Sequence, residues 1–410
     1  MSEFLHLIPP PEALARLLAA TPISPRWEMI PAGAALGRVA AADVLAPFSL
    51  PSFPRSTVDG YAVRAAETHG ASESLPAYLR LTGEVLMGST PTEALEPGAC
   101  VLIHTGGMLP EGADAVVMVE QTQSPRNDEV EIWRAVAHGE NVIRVGEDVA
   151  AGAVVVAAGT RIRAAELGGL MALGIGEMPA SRPPRVGILS SGDEVVAPGT
   201  PLQPGQVYDV NTYTLSALVM QAGGQPVPYG IIPDRPDAFH ATARRARDEC
   251  DVVVFTAGSS VSARDLTART IAELGPPGVL VHGVNVRPGK PTILAVCGGK
   301  AVIGLPGNPV SALVIGRLFL TPLIAAHLGL QQTRPGPSVP AFLGLNLASQ
   351  TGREDWVAVR LEETDAGFVA QPIFGKSNLI FTLARADGLI CIPADANGID
   401  AGTPVTVIPL

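Results

Sequence analysis

The chain has 410 residues, more than one hydrophobic core usually supports, so it is expected to divide into several domains. A formal net charge of −11, with no basic stripe and no interleaved aromatics, argues against non-specific binding to nucleic acid or an anionic membrane. The cysteines (Cys100, Cys250, Cys297, Cys391) are far apart and form no CxxC pair, which argues against a disulfide framework or a zinc ribbon and for reduced thiols in a cytoplasmic protein.

The opening MSEFLHLIPPPEALARLLAA has no basic segment before its apolar stretch and does not read as a signal peptide. Residues 11–20 read as a short helix with Leu14, Leu17 and Leu18 on one side. AGAALGRVAAADVLAP (32–47) suggests a second helical piece that Pro47 ends. From 48 to about 144, short β-like runs (AYLRLTGEVL, ACVLIHTG, AVVMVEQT, VEIWRA) alternate with Pro/Gly turns, as in an inserted β-rich domain. RIRAAELGGLMALG (161–174) reads as a helix with Gly174 as its stop.

Past Pro183-Pro184, strands alternate with helices. The strands are RVGILS (185–190), PVPYGII (226–232), DVVVFTA (251–257) and AVIGL (301–305), and the helical stretches follow Asn211, Asp234 and Asp265. This alternation predicts a largely parallel, doubly wound sheet. The apolar run 309–330 carries Arg317 and Pro322 and is expected to be a long buried helix, not a membrane span. QQTRPGPSVP (331–340) marks a boundary, beyond which AFLGLNLAS, DWVAVRLEE, GFVAQPI and PVTVIPL predict a small all-β domain. The expected division is 1–46 plus 146–180 as a helical linker domain, 47–145 as the β-rich insertion, 181–330 as the α/β domain and 331–410 as the C-terminal β domain.

Each of the four parallel strands ends in a chemically loaded turn. Ser191-Gly192-Asp193-Glu194 follows the first and Asp234 the second. Gly258-Ser259-Ser260, with Asp265 soon after, follows the third, and Pro306-Gly307-Asn308-Pro309 the fourth. Open α/β sheets bind ligands in the crevice beyond these strand ends, so the turns mark one composite site. Pro306–Pro309 reads either as a capped βα turn or as an anion site at a helix N-terminus, where free N–H groups meet the positive end of the dipole. Asp234 and Asp265 could be simple helix-start acids, and Asp209, beside the expected N-cap Asn211, could be an ordinary polar residue facing solvent. Adjacent acids on a glycine turn, Asp193-Glu194, have no obvious capping duty. Arg287 and Lys290 bracket a Pro-Gly turn and suit phosphate or another oxyanion. Two like charges about 5 Å apart repel by roughly 3 kcal/mol at an effective dielectric near 20, so clustered acids facing an anion need a divalent cation or protons. With no histidine spacing for zinc, Mg²⁺ acting on a phosphate or phosphoanhydride is the reading that follows.

In this order and spacing, PSFPRSTVDGYAV (51–63), PEGADAVVMVE (110–120), GEDVAAG (146–152), SSGDEVV (190–196), YDVN (208–211), PGKP (288–291) and GLPGNPVSA (304–312) resemble the MoeA family of molybdopterin molybdenumtransferases, relatives of the gephyrin E domain. The resemblance implies a multidomain α/β plus β protein: a doubly wound, molybdopterin-binding MogA/MoaB-like α/β domain, an inserted β-rich domain, an N-terminal helical linker domain and a small C-terminal β-barrel. It implies molybdate and adenylylated molybdopterin as substrates, Mg²⁺ as cofactor and AMP as product, in a cytoplasmic homodimer whose active site lies between subunits. A molybdopterin adenylyltransferase and client molybdoenzymes are the implied partners. Asp59, Glu194, Asp234 and Asp265 are implied as catalytic acids, the last three as metal ligands. Thr105, Arg144, Ser191, Gly192, Asp193, Asp209, Ser259, Ser260, Arg287, Lys290, Pro306, Gly307, Asn308, Pro309 and Ser311 are implied as substrate contacts. The sequence departs from the family pattern at the loop Ala257–Ser262, where serine and alanine replace glycines, at Arg287, where lysine is usual, and at Gly107-Met108. These departures keep open a cofactor carrier or a tungsten-inserting paralogue, and a hydrolase of another nucleotide anhydride remains a weaker reading.

Overall fold

The computed structural model of the protein describes residues 7–257, 261–331 and 336–410, without the side chains of 257 and 261–265. The helix Pro10–Ala20 buries Ala13 and Leu17 against the α/β domain, in one core with Val186, Leu294 and Phe319. The chain then leaves that domain and forms the strand Trp27–Pro31, which pairs antiparallel with Glu177–Ser181. The helix expected over 32–47 does not form. A single 3-10 turn, Ala32–Ala34, is followed by irregular chain in which Gly37 takes φ +77°, and by the short strand Val44–Leu45. Alanine favours helix, but here its small side chains fill a compact core with Ile162, Leu170 and Met178, and that packing overrides propensity. The helix Ala164–Ala172 forms as its sequence suggests, with Glu166 receiving the Arg163 backbone N–H and Gly174 at φ +65° past its end.

Between these pieces lies a six-stranded sheet that includes Gly60–Val63, Ala77–Val85, Ala99–Ile103 and Ala115–Met118. The α/β domain has a six-stranded sheet in the spatial order Gln225–Ile232, Arg185–Ser191, Val252–Ala257, Lys300–Pro306, Ile293–Cys297, Pro277–His282. The first four strands are parallel, and the last two form an antiparallel edge. Helices cover both faces. Asn211–Ala222 and the apolar helix Pro309–His327 pack on one, and Pro236–Glu249 and Val261–Glu273 on the other. Pro309–His327 is long and apolar enough to cross a membrane, but its Ile315, Phe319, Leu320 and Leu323 belong to the core. Gly316 lies in its wider-wound middle turn, where a Cβ would come within 2.9 Å of Leu218. The C-terminal strands close into a small barrel, Glu354–Thr364 pairing with both Gly367–Pro372 and Gly388–Ile392. The short strand Val286–Arg287 of the α/β domain adds to the barrel edge at Glu354-Asp355 and locks the two units together.

Candidate active site

The acids at the ends of the first two parallel strands meet. Gly192 turns the chain at φ +144°, and a Cβ there would lie 2.8 Å from Glu194 Oε2, so only glycine fits. Asp193 Oδ1 accepts the N–H of Asp234 at 3.2 Å, tying the turn beyond one strand to that beyond its neighbour. Arg235, not Asp234, holds the N-cap position of the following helix, so capping does not explain the acid. Asp234 Oδ1 is buried with no hydrogen-bond partner. Burial first, then the charges of Asp193 and Glu194, raise this carboxyl above its ordinary range, against hydrogen bonds from Ser191 and the Asp193 backbone.

A buried oxygen lacking a donor, crowded by two acids, is suited to a hard cation. Among the described residues, no group of three His, Cys, Asp or Glu is gathered into a complete metal site. Mg²⁺ needs no such cage, since one or two carboxylates plus substrate oxygens hold it. The donors present fit magnesium in that partial sense. Ser259, Ser260 and the Asp265 side chain lie outside the described residues.

At the fourth strand, Pro306 leads through Gly307 and Asn308 into the helix that starts at Pro309. Asn308 makes no cap bond to its own helix. Its Nδ2 donates to Ser377 Oγ at 2.8 Å, and Val310 N–H donates to the Ser377 carbonyl at 3.0 Å, so a barrel loop is clamped over the helix start. Asn211, expected to cap its helix, is instead the first helical residue and donates from Nδ2 to the Gly307 carbonyl at 2.8 Å. Asp209 takes the capping role: only 6 % exposed, its Oδ1 accepts the Thr212 N–H at 3.1 Å and the Ser190 hydroxyl at 3.4 Å. Both bonds go to Oδ1, which ties the start of this helix to the end of the first strand.

Beyond this turn, between α/β domain and barrel, opens a cavity of about 1230 Å³ lined by Arg287, Lys290, Asn308, Ser311, Arg353 and Lys376 among others. Asp193, Glu194 and Asp234 do not line it: they follow the first two strands of the sheet, and the strand Val252–Ala257 stands between those and the strand that ends at Pro306. Asp355, 5 % exposed in its side chain, receives Arg353 at 2.8 Å and faces Arg287 at 3.5 Å. One acid among four cations leaves the cavity positive, as an oxyanion requires. Arg353, Asp355, Lys376 and Ser377 carried no local signal in the sequence; they reach this wall only because the barrel docks.

The remaining expected residues sit in the β-rich domain. Asp59 is exposed, and its Oδ1 accepts the Thr105 N–H at 2.8 Å and hydroxyl at 3.2 Å. Those two bonds, more than the nearby His104, lower its pKa below the usual carboxylate range. His104, which the motif reading passed over, stands 3.8 Å from Asp59 and 2.7 Å from Glu84. Gly60 lets this strand pass its neighbour, since a Cβ would collide with the Val117 carbonyl. Arg144 is exposed, its N–H given to Glu147 at 2.9 Å. Among the described residues the side-chain partners of Asp59, Thr105 and His104, are in its own domain and do not join it to the strand-end acids.

The architecture is that of a multidomain protein built around a molybdopterin-binding type of α/β domain. Residues 8–174 match the MoeA N-terminal region (domain I and II), 187–326 a probable molybdopterin binding domain, and 340–410 the MoeA C-terminal region (domain IV). The chain belongs to the MoeA family. A Haemophilus influenzae molybdopterin molybdenumtransferase is 32 % identical over 97 % of both chains. Molybdopterin molybdenumtransferase 2 of Mycobacterium tuberculosis is 36 % identical over 92 % of this chain and 94 % of its own. The solved molybdopterin biosynthesis MoeA protein of Pyrococcus horikoshii superposes with a TM-score of 0.86 at 31 % identity, covering 98 % of this chain and all of that one.

Proposed function

We propose that this molybdopterin molybdenumtransferase of molybdenum cofactor biosynthesis transfers molybdenum from molybdate to adenylylated molybdopterin, with magnesium-dependent cleavage of the phosphoanhydride and release of AMP. The observation that carries this reading is the placement of an acid cluster and a cationic cavity at the same, carboxyl end of one parallel sheet. A nucleotide anhydride and an oxyanion together need both signs of charge within one ligand's length. Arg287, Lys290 and Lys376 receive oxyanion charge, and Ser311 and Asn308 orient it. Asp234, with Glu194 and Asp265, holds the metal. Magnesium, when bound, offsets the charge on the phosphate oxygens and makes phosphorus the better electrophile. Asp59, held ionised by Thr105, acts as a fixed negative charge and not as a proton donor.

The same reading makes the protein a homodimer in which Asp59 of one subunit faces the strand-end acids of the other. Exposed Trp27, Met29, Leu36, Leu45 and Met171 on the linker unit supply apolar surface for a second copy. Four free thiols agree with a cytoplasmic setting, where an adenylyltransferase supplies the substrate and apo-molybdoenzymes take the product. The test is AMP release from adenylylated molybdopterin with molybdate and Mg²⁺, followed by reconstitution of an apo-molybdoenzyme. Tight pterin binding without AMP release would make the protein a carrier instead.

A further inference from the structure

A second cavity, of about 230 Å³, lies at the opposite end of the α/β sheet, below the amino ends of its central strands, and has no part in the chemistry above. It is lined by Ser24, Arg26, Arg182, Asp251, Lys300 and His327, with prolines and a glycine completing the wall. Asp251 and Lys300 stand at the amino ends of their strands, so about six residues, or roughly 20 Å, separate this cavity from the strand-end acids.

Cations outnumber acids here. Asp251 is shared by Arg26 at 2.6 Å and Lys300 at 3.7 Å, and it also accepts the Arg185 N–H at 2.8 Å. Among the described residues the acid paired with Arg182 is Glu28, at 3.4 Å, and Glu28 is held more closely by Arg38 at 2.7 Å. The wall thus carries one carboxylate, Asp251, against three cations, Arg26, Arg182 and Lys300, in a chain whose net charge is −11. His327 Nε2 is buried in the wall with no hydrogen-bond partner. The space is below the roughly 300–1,000 Å³ of clefts for drug-sized ligands, which excludes a pterin or nucleotide. At about 30 Å³ per water it has room for a compact ion and its hydration.

Both crossings between the linker unit and the α/β domain pass this point. Arg26 immediately precedes the strand Trp27–Pro31, Arg182 immediately follows its partner Glu177–Ser181, and Asp251, Lys300 and His327 belong to the α/β domain. We infer that this cavity binds a compact tetrahedral oxyanion of the phosphate class and that the bound ion clasps the joint between the two units. Two arginine forks and an ammonium from separate segments give the fork-and-point-charge set that such oxyanions take.

The experiment is calorimetric titration of the full chain with inorganic phosphate, sulfate and molybdate in separate arms. The wild type is expected to show two oxyanion sites: this one, and the Arg287/Lys290 cavity. Arg182→Ala with Lys300→Ala should lose the first, with affinity falling about tenfold or more, and keep the second; Arg287→Ala with Lys290→Ala should do the reverse. The arms identify which tetrahedral ion the joint prefers. Retention of both sites after Arg182 and Lys300 are replaced overturns the inference, whereas retention of both after Arg287 and Lys290 are replaced bears on the active-site reading alone. Should the double variant fold poorly, the wild-type His327 ring signals decide: phosphate should shift them and raise the histidine's pKa, because burial, Lys300 and Arg26 hold it low against the pull of Asp251. Ring signals unmoved at saturating phosphate overturn the proposal.

Discussion

Asp234 and Asp59 both stand in turns beside strands, yet their surroundings push their protons in opposite directions. Asp234 is half-buried, lacks a donor at one oxygen and is crowded by Asp193 and Glu194, so its carboxyl is raised. Asp59 is exposed and supplied with two donors by Thr105, so its carboxyl is lowered. A carboxylate short of donors is a site awaiting positive charge, whereas a satisfied one is already a finished electrostatic feature. In the proposed dimer the α/β crevice contributes the unfinished half and the β-rich domain the finished one.

The strongest test of that division is Asp234→Asn. Turnover should fall about a hundredfold or more, the scale for loss of one preorganised electrostatic group, while folding is preserved. Asp234 holds its proton more tightly in the folded state than in the unfolded one. The cost of ionising it therefore builds as pH rises from the unfolded value to the folded one and is complete above the latter. The amide removes that cost, so the melting temperature at neutral pH should stay level or rise. Subunit mixing sharpens the result. Asp59→Asn and Asp234→Asn homodimers should each be inactive, but in a mixed dimer one of the two sites regains both wild-type acids. Random equal mixing should restore about a quarter of wild-type turnover if sites are shared between subunits, and none if each site is built from one chain.

Gly60→Ala probes the scaffold of the finished half. Its Cβ would meet the Val117 carbonyl, backbone that cannot give way without disturbing the sheet. Denaturant unfolding should show a loss of about 3 kcal/mol, the upper range for overpacking, together with loss of Asp59 function. The same change in an exposed glycine with open space around it, such as Gly33, should cost far less.

How much of this was legible in the sequence follows the range of the interactions. The four parallel strands and the acids beyond them could be read locally, because a buried strand is a short apolar run and its end is a turn. The Asp209 role could not, because Asp209 and Asn211 are both good capping residues and only the fold decides that Asp209 bonds Thr212 while Asn211 reaches Gly307. The 32–47 segment misled because alanine-rich sequence favours helix, whereas the small core around Ile162 and Met178 uses alanine for its size. The cavity wall formed by Arg353, Asp355 and Ser377 was invisible for a different reason: nothing near those residues hints that their barrel docks on the Pro306–Pro309 turn.

That docked wall gives a smaller effect. Arg353→Ala leaves buried Asp355, among the described residues, with the 3.5 Å ion pair to Arg287, so stability should fall by about 1–3 kcal/mol, the cost of a buried acceptor losing its closest donor. Recruiting Arg287 more fully to Asp355 should also weaken the cavity's hold on oxyanion, read as a raised KM for molybdate with kcat changed less.

The smallest effect is expected at His104, and it separates contact from consequence. The ring lies 2.7 Å from Glu84 and 3.8 Å from Asp59, but both acids are exposed and Asp59 is already bonded twice by Thr105. Exposed pairs of this kind contribute little to stability, because solvent screens them. His104→Gln should therefore leave the melting temperature nearly unchanged and turnover within a few-fold of wild type. Thr105→Val, which removes the hydroxyl bond to Asp59 while keeping the backbone one, should disturb turnover more. If the glutamine variant proved the more damaging, Asp59 would owe its ionised state to the histidine and not to Thr105, and the β-rich half of the site would be as unfinished as the other.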